Sequence, residues 1–391
     1  MQIYYTVKRL VTVGLLTSFS VDSLIFLCAV ENTAEERGYF MKKIAMLLAT
    51  LLMATTIVAC GAKETPAAPG TPETPGTEAP AATETKKITI STKFVDDEQT
   101  AMSLVKVVEA INERSNGSLQ MELFTGGILP IGKDGMEQLV KGSDWILVDG
   151  VNFLGDYVPD YNAVTGPFLY TTFDEYLAMT KTPLVQELNA KIEAEHGVKI
   201  LSLDWVFGFR SMMTKKPIKT PADMKGMNIR VPTSQLYTYT IEAMGGNPVS
   251  MPYPDTYAAI QQGVIDGVEG SIMTYYGTQQ YENVKEYSLT NHLLGVSAVA
   301  VSTKLWDSLT EEQRTIISEE FEKGMEDNLA ETIKAEAEFA DLLKAEGVNF
   351  HEVDAAAFLE AAEPVYTKFP QWTPGIYEKI LEELEKIQAA Q

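Results

Sequence analysis

The chain of 391 residues sets 31 Lys and Arg against 54 Asp and Glu, a net charge of -23, with 45% hydrophobic and 22% charged residues. That balance fits a soluble globular body large enough for two lobes, and it excludes a nucleic-acid partner, whose phosphates need a basic footprint. It also makes any anionic ligand dependent on a few local arginines, because the overall field repels it.

Both cysteines, Cys28 and Cys60, lie ahead of the predicted folded body, which leaves that body without a disulfide framework or a thiolate zinc site. His196, His292 and His351 are far apart in sequence, with no metal-ligand spacing and no legible Ser-His-Asp set. No metal, cofactor or catalytic residue is therefore expected.

Residues 1–40 hold two short apolar runs and are expected to be a spurious extension from an upstream start codon. At Met41 a proper export signal begins: Lys42-Lys43, then the apolar run IAMLLATLLMATTIVAC. The 41–59 segment reads as a signal peptide. Its ending, Ile57-Val58-Ala59-Cys60, resembles the bacterial lipobox, which implies that Cys60 is lipidated and becomes the mature N-terminus. Residues 60–86 then supply a linker rich in Pro, Thr, Ala and Glu with no apolar periodicity.

The body opens at Ile88 with the strand ITIS, followed by a helix over 102–114 that Asn116-Gly117 stops. LQMELF (119–124) alternates as a strand, DGMEQLVKG reads as a helix, and WILVDG (145–150) as a buried strand. This alternation predicts an α/β fold with a mainly parallel sheet. Asn152 follows a strand end, where open α/β sheets place ligands. A helix over 174–196 and a strand VKILSLDW come next. Two arginines then stand twenty residues apart on predicted strands, Arg210 in GFRSMMT and Arg230 in MNIRVP, with a helix start at Thr220-Pro221 between them. Two guanidiniums converging on one cleft would make an always-charged fork for a carboxylate. Helices over 235–244 and 255–262 and a strand VIDGVEG follow. GVSAVAVS (295–302) predicts another strand. A helix over about 311–346 carries the stripe Ile317, Phe321, Met325, Leu329 and Ile333, and is long enough to cross more than one lobe. VNFHEV and two final helices complete the chain.

From about Ile88 to the C-terminus the chain resembles the extracytoplasmic solute-binding subunit of tripartite ATP-independent periplasmic (TRAP) transporters. FTGGILPIGKDGMEQLVKGSDWILVDG, GFRSMMT, IKTPADMKGMNIRVP, AMGGNPVSMPYPDTYAAIQQGVIDGVEG and the TNH at Thr290–His292 carry the resemblance. It implies a two-lobed periplasmic-binding-protein-like fold: two α/β domains with mixed sheets, a hinge cleft and a long helix spanning both. The crossings fall near Gly208 and Gly295. Residues 88–207 and about 295–335 would form one lobe, 208–294 and about 336–391 the other. The resemblance assigns the carboxylate fork to Arg230 and a helper contact to Arg210, with Trp205 and Tyr253 in the pocket wall.

Thr233 and Gly270 depart from the asparagines found in sialic-acid and C4-dicarboxylate binders, which puts a small dicarboxylate in doubt and leaves room opposite the arginines. Glu269 is expected to orient an arginine, His292 to be structural, and Asp96-Asp97-Glu98 to form a loop or helix cap. The implied function is capture of an organic acid by a lipid-anchored monomer that delivers it to the small and large membrane subunits. A binding protein feeding a sensor, and an extracellular enzyme on the same scaffold, stand as alternatives.

Overall fold

Two strands of 17 residues, Val198–Thr214 and Glu286–Ser302, pair antiparallel along almost their whole length and form the spine of the molecule. The computed structural model describes residues 85–391. The expected extension 1–40, signal 41–59, Cys60 and nearly all of the 60–86 linker lie outside them.

In chain order, β1 (Lys86–Thr92), α1 (Gln99–Arg114), β2 (Leu119–Phe124), α2 (Gly132–Val140) and β3 (Trp145–Gly150) build the first end of the sheet. A 3-10 turn over Val151–Asp156 leads into α3 (Tyr161–Val164), α4 (Phe173–Thr180), α5 (Pro183–His196) and the long β4 (Val198–Thr214). The far end is made by β5 (Asn228–Val231), α6 (Gln235–Ala243), β6 (Asn247–Ser250), α7 (Thr256–Gln261), β7 (Gly267–Ser271) and α8 (Ile272–Gly277). The long β8 (Glu286–Ser302), α9 (Thr303–Ser308), α10 (Glu311–Ala345), β9 (Asn349–His351), α11 (Ala355–Ala362) and α12 (Ile376–Ala390) follow.

The strands form one nine-stranded mixed sheet in the order β2-β1-β3-β8-β4-β7-β5-β6, with β9 added beside β8. Pairing is parallel at both ends and antiparallel through the centre, where β4 and β8 run from one lobe into the other. VKILSLDW and GFRSMMT, read as separate strands, are thus one element. Gly208 interrupts the pattern without ending the strand: it has φ 101 and lies opposite Gly295, with a register shift between Val206 and Gly208. A side chain at position 295 would put its Cβ 2.6 Å from the Gly208 carbonyl oxygen. The lobe crossing is therefore a close backbone approach that only two glycines allow.

The predicted helix over 174–196 is broken in two, because Thr182 caps a new helix with Pro183 in its first turn. Thr220-Pro221 starts only a 3-10 turn, closed by a capping box with Asp223. In α10, Ile317 and Phe321 are buried but Ile333 is 55% exposed, since a strict four-residue stride drifts off a face of period 3.6. Buried Asn328 and Thr332 take that face instead, both donating to the Val206 carbonyl at the strand crossing, at 2.7 and 3.3 Å. The helix packs on α1 and β4 at one end and on α8 at the other. The resemblance assigns α12, with the rest of about 336–391, to the second lobe. That helix packs on α3 and α4, where Gln388 donates to Glu175 at 2.8 Å.

Candidate functional site

A cavity of about 510 Å³ opens between the two ends of the sheet. Its first-lobe wall comes from the segments after β1 and β3 and from the start of α2, contributing Lys93, Asp149, Asn152 and Gly132. The opposite wall comes from β5, β7 and the turns around α6 and α7, contributing Arg230, Thr233, Tyr237, Tyr253 and Glu269. Arg210, on β4 just past the crossing, lies between the two.

The two arginines differ in what already holds them. Arg210 forms a two-pronged ion pair with Glu269, Nε to Oε2 and Nη2 to Oε1, both at 2.6 Å. The partners face each other because β4 and β7 pair antiparallel with Met212 opposite Glu269. Burial works against both charges, yet their mutual attraction wins: the Arg210 pKa is raised and Glu269 is brought down to about 2. His292, fully buried on β8, places Nε2 3.5 Å from the same carboxylate. Its pKa is lowered by burial, and its Nδ1 is bonded to Thr290 at 2.9 Å.

Arg230 has no such partner. It is 5% exposed on the short strand β5, ended by Pro232, and its Nε and Nη2 both donate to the Met251 carbonyl at 3.1 and 2.9 Å. The ring of Tyr253 stacks 5.6 Å from the guanidinium. Among the described residues no carboxylate lies within ion-pair distance of it. Burial lowers its pKa to about 10, with Glu269 pulling the other way. A guanidinium carries five N–H donors, so three have no acceptor among the described residues. Arg230 is thus a buried cation whose hydrogen bonds among the described residues go to a backbone carbonyl.

Across the cavity Lys93 pairs with Asp149 at 3.0 Å and lies over Phe94 and Phe207, at 5.0 and 4.9 Å from the ring centres. Buried Asp149 also accepts from the backbone N–H groups of Gly132 and Gly150, at 2.8 and 2.7 Å, fixing the start of α2 against the cavity. Asn152 is buried in the same wall, and its amide nitrogen has no hydrogen-bond partner among the described residues.

Of the residues singled out in the sequence, Arg230, Arg210, Glu269, Tyr253, Thr233 and Asn152 all line this cavity. Trp205 does not. It fills the core on β4, packing edge-on to Phe321 at 6.2 Å and over Gly324 of α10. Gly270 is not in the wall either: strand alternation turns it away from Glu269, and an added Cβ would meet Thr274 at 3.7 Å and Tyr275 at 4.0 Å. Its missing side chain therefore enlarges nothing in the cavity. Lys93, Phe207 and Tyr237, the last with its ring 5.0 Å from the Arg210 guanidinium, are wall residues that the sequence reading missed. A lone lysine after a strand looks like any solvated lysine until the fold is known.

A family model, described as bacterial extracellular solute-binding protein, family 7, matches residues 92–371. A solute-binding protein from Chromohalobacter salexigens is 29% identical over 73% of this chain and 85% of its own length. Among solved structures, a TRAP periplasmic solute-binding protein from Fusobacterium nucleatum with bound sn-glycerol-3-phosphate is 73% identical. It covers 78% of this chain and 99% of its own, with a TM-score of 0.77. Another, from Desulfovibrio salexigens in complex with diglycerolphosphate, is 40% identical over 78% of this chain and 98% of its own, with a TM-score of 0.76. The chain belongs to family 7 of the bacterial extracellular solute-binding proteins, the solute-binding subunits of TRAP transporters.

Proposed function

We propose that this protein captures a small polyol phosphate monoester, with sn-glycerol 3-phosphate as the first candidate, and delivers it to the membrane subunits of a TRAP transporter. The observation that carries the reading is the buried Arg230, which lacks a counter-charge. A carboxylate would satisfy one guanidinium fork. A phosphate dianion asks for further N–H donors, and Lys93 in the opposite wall can offer one while Asp149 shares its charge. A relative crystallised with sn-glycerol-3-phosphate supports the same choice, and one in complex with diglycerolphosphate, a diester, supports the glycerol-phosphate class more broadly. The mechanism is capture without chemistry: the anion is held by Arg230 from one lobe and Lys93 and Asn152 from the other, so it binds the closed arrangement better than the open one and draws the lobes together. The protein would work outside the cytoplasm as a monomer, held at the membrane by lipid on Cys60.

Titration calorimetry with sn-glycerol 3-phosphate, glycerate and succinate separates the anion classes. The phosphate is expected to bind at least about tenfold tighter than either carboxylate, a difference of about 1.4 kcal/mol. Tight binding of a carboxylate with no heat from the phosphate would overturn the phosphate reading and return the site to organic acids.

A further inference from the structure

We propose that Glu98 is a positioning residue that latches one lobe to the other beside the ligand cavity and makes capture depend on a proton, a reading that rests on the anion-capture function above. Glu98 precedes α1 and belongs to an acidic cluster, Asp96-Asp97-Glu98, that would ordinarily be solvated. It is instead 2% exposed. Its Oε2 accepts from the Val95 backbone N–H at 2.8 Å. Its Oε1 accepts from Thr274 Oγ1 at 3.0 Å and from the Tyr253 hydroxyl at 3.3 Å, both in the opposite lobe. At Gly277 of α8 a Cβ would come within 2.7 Å of the Glu98 Cγ, so the helix closes on this side chain where it has none of its own.

The charged and titratable groups facing the carboxyl are few. Lys93 of its own loop is already bound to Asp149, and Tyr253 stands between Glu98 and Arg230. From α8 it meets Thr274 and Gly277, neither of them charged. Burial therefore dominates and pushes the carboxyl up to about 7, against the weaker pull of Val95, Thr274 and Lys93. Glu269, equally buried, goes the opposite way because Arg210 grips it.

Tyr253 ties this latch to the ligand. Its hydroxyl binds Glu98 while its ring covers Arg230, so the contact that joins the lobes also sets the wall of the anion site. Opening the cleft parts Glu98 from Tyr253, Thr274 and Gly277 and returns its carboxyl to water, where it titrates in the ordinary range. The closed form thus holds the proton more tightly. Closure takes up a proton between the ordinary carboxylate pKa and about 7, and capture weakens as pH rises through that window. In the protonated form the O–H donates toward Thr274 or Tyr253 while the other oxygen still accepts from Val95. A glutamine reproduces that arrangement with its amide.

The test compares wild type with Glu98→Gln in calorimetry with sn-glycerol 3-phosphate from pH 5.5 to 8. The ligand's own ionisation enters both proteins equally and cancels in the ratio of their dissociation constants. Between pH 6 and 8 wild type is expected to weaken about tenfold relative to Glu98→Gln, the two converging at low pH. A ratio that stays constant across the range overturns the latch. If neither protein binds the phosphate, the ligand reading fails by itself. The latch is then judged in protein saturated with whichever of glycerate and succinate binds, by carbon NMR of the Glu98 carboxyl, assigned by its loss in Glu98→Gln. A midpoint near 7 supports it, and one in the ordinary carboxylate range overturns it.

Discussion

Arg210 and Arg230 stand in the same cavity but answer to different physics, and substitution should separate them. Removing Arg210 leaves Glu269 buried beside a neutral histidine with no cation, and a broken buried pair of this kind costs about 3–5 kcal/mol of stability. Removing Arg230 orphans no carboxylate; it frees only the Met251 carbonyl and relieves a desolvated charge. Arg230→Ala is therefore expected to keep its melting temperature within a few degrees while losing about 2–5 kcal/mol of ligand affinity. Arg210→Ala should melt well below wild type. Unchanged affinity in Arg230→Ala, measured by calorimetry, would remove the basis of the capture mechanism. The resemblance ranked Arg230 first and made Arg210 its helper, whereas the geometry makes Arg210 a fixed wall whose charge Glu269 has already neutralised. Arg230, Tyr253, Thr233 and Asn152 were legible because each sits at a strand end or turn whose neighbours carry the family pattern. Lys93 and Glu98 were not, since one pairs with Asp149 and the other with Thr274, about 55 and 175 residues away, and nothing local records either contact.

At the level of elements, the crossing of β4 and β8 makes the sharpest demand on side-chain volume. At Gly295 a methyl group would collide with the Gly208 carbonyl at 2.6 Å and the Phe207 ring at 2.6 Å, and Phe207 in turn lies under Lys93. Gly295→Ala should therefore destabilise by about 1–3 kcal/mol, the range typical of overpacking, and should weaken ligand binding as Phe207 shifts. Gly270→Ala is the matched control. Its Cβ meets only Thr274 and Tyr275 at ordinary contact distance, so melting temperature and affinity should stay near wild type. Differential scanning calorimetry checks both, and a Gly270→Ala protein with altered affinity would put that residue back in the cavity wall. The resemblance places the crossing near Gly208 and Gly295, but the strand pattern alone stops VKILSLDW short of it. Gly208 reads as a strand break, yet β4 passes through it because Gly295 opposite leaves room. Strands β2 and β3 were legible to the residue, since alternating or continuous apolar runs between turn signals depend on nothing distant. The split of 174–196 turned on a single cap at Thr182, and the face of α10 turned on buried Asn328 and Thr332, which only the carbonyl at Val206 explains.

For the whole molecule, net charge and tether act together. A chain of net charge -23 is repelled by an anionic lipid surface, so the body has no electrostatic reason to stay near its membrane partners. Among the described residues no helix is long and apolar enough to cross a membrane. On the proposed reading retention would fall to Cys60, whose acyl chains would contribute roughly 0.8 kcal/mol per buried methylene. As a tether, the segment 61–84 would keep the body within a limited distance of that anchor. Confinement within that distance raises the effective concentration at the membrane subunits without altering the binding site. Cys60→Ser is therefore expected to move the protein from the membrane pellet to the soluble fraction at both low and high salt. Its affinity for sn-glycerol 3-phosphate should stay unchanged in calorimetry, while cellular uptake of the labelled ligand falls. Protein that remains in the pellet would mean a second membrane contact, and uptake that survives full release would show that diffusion alone supplies the transporter.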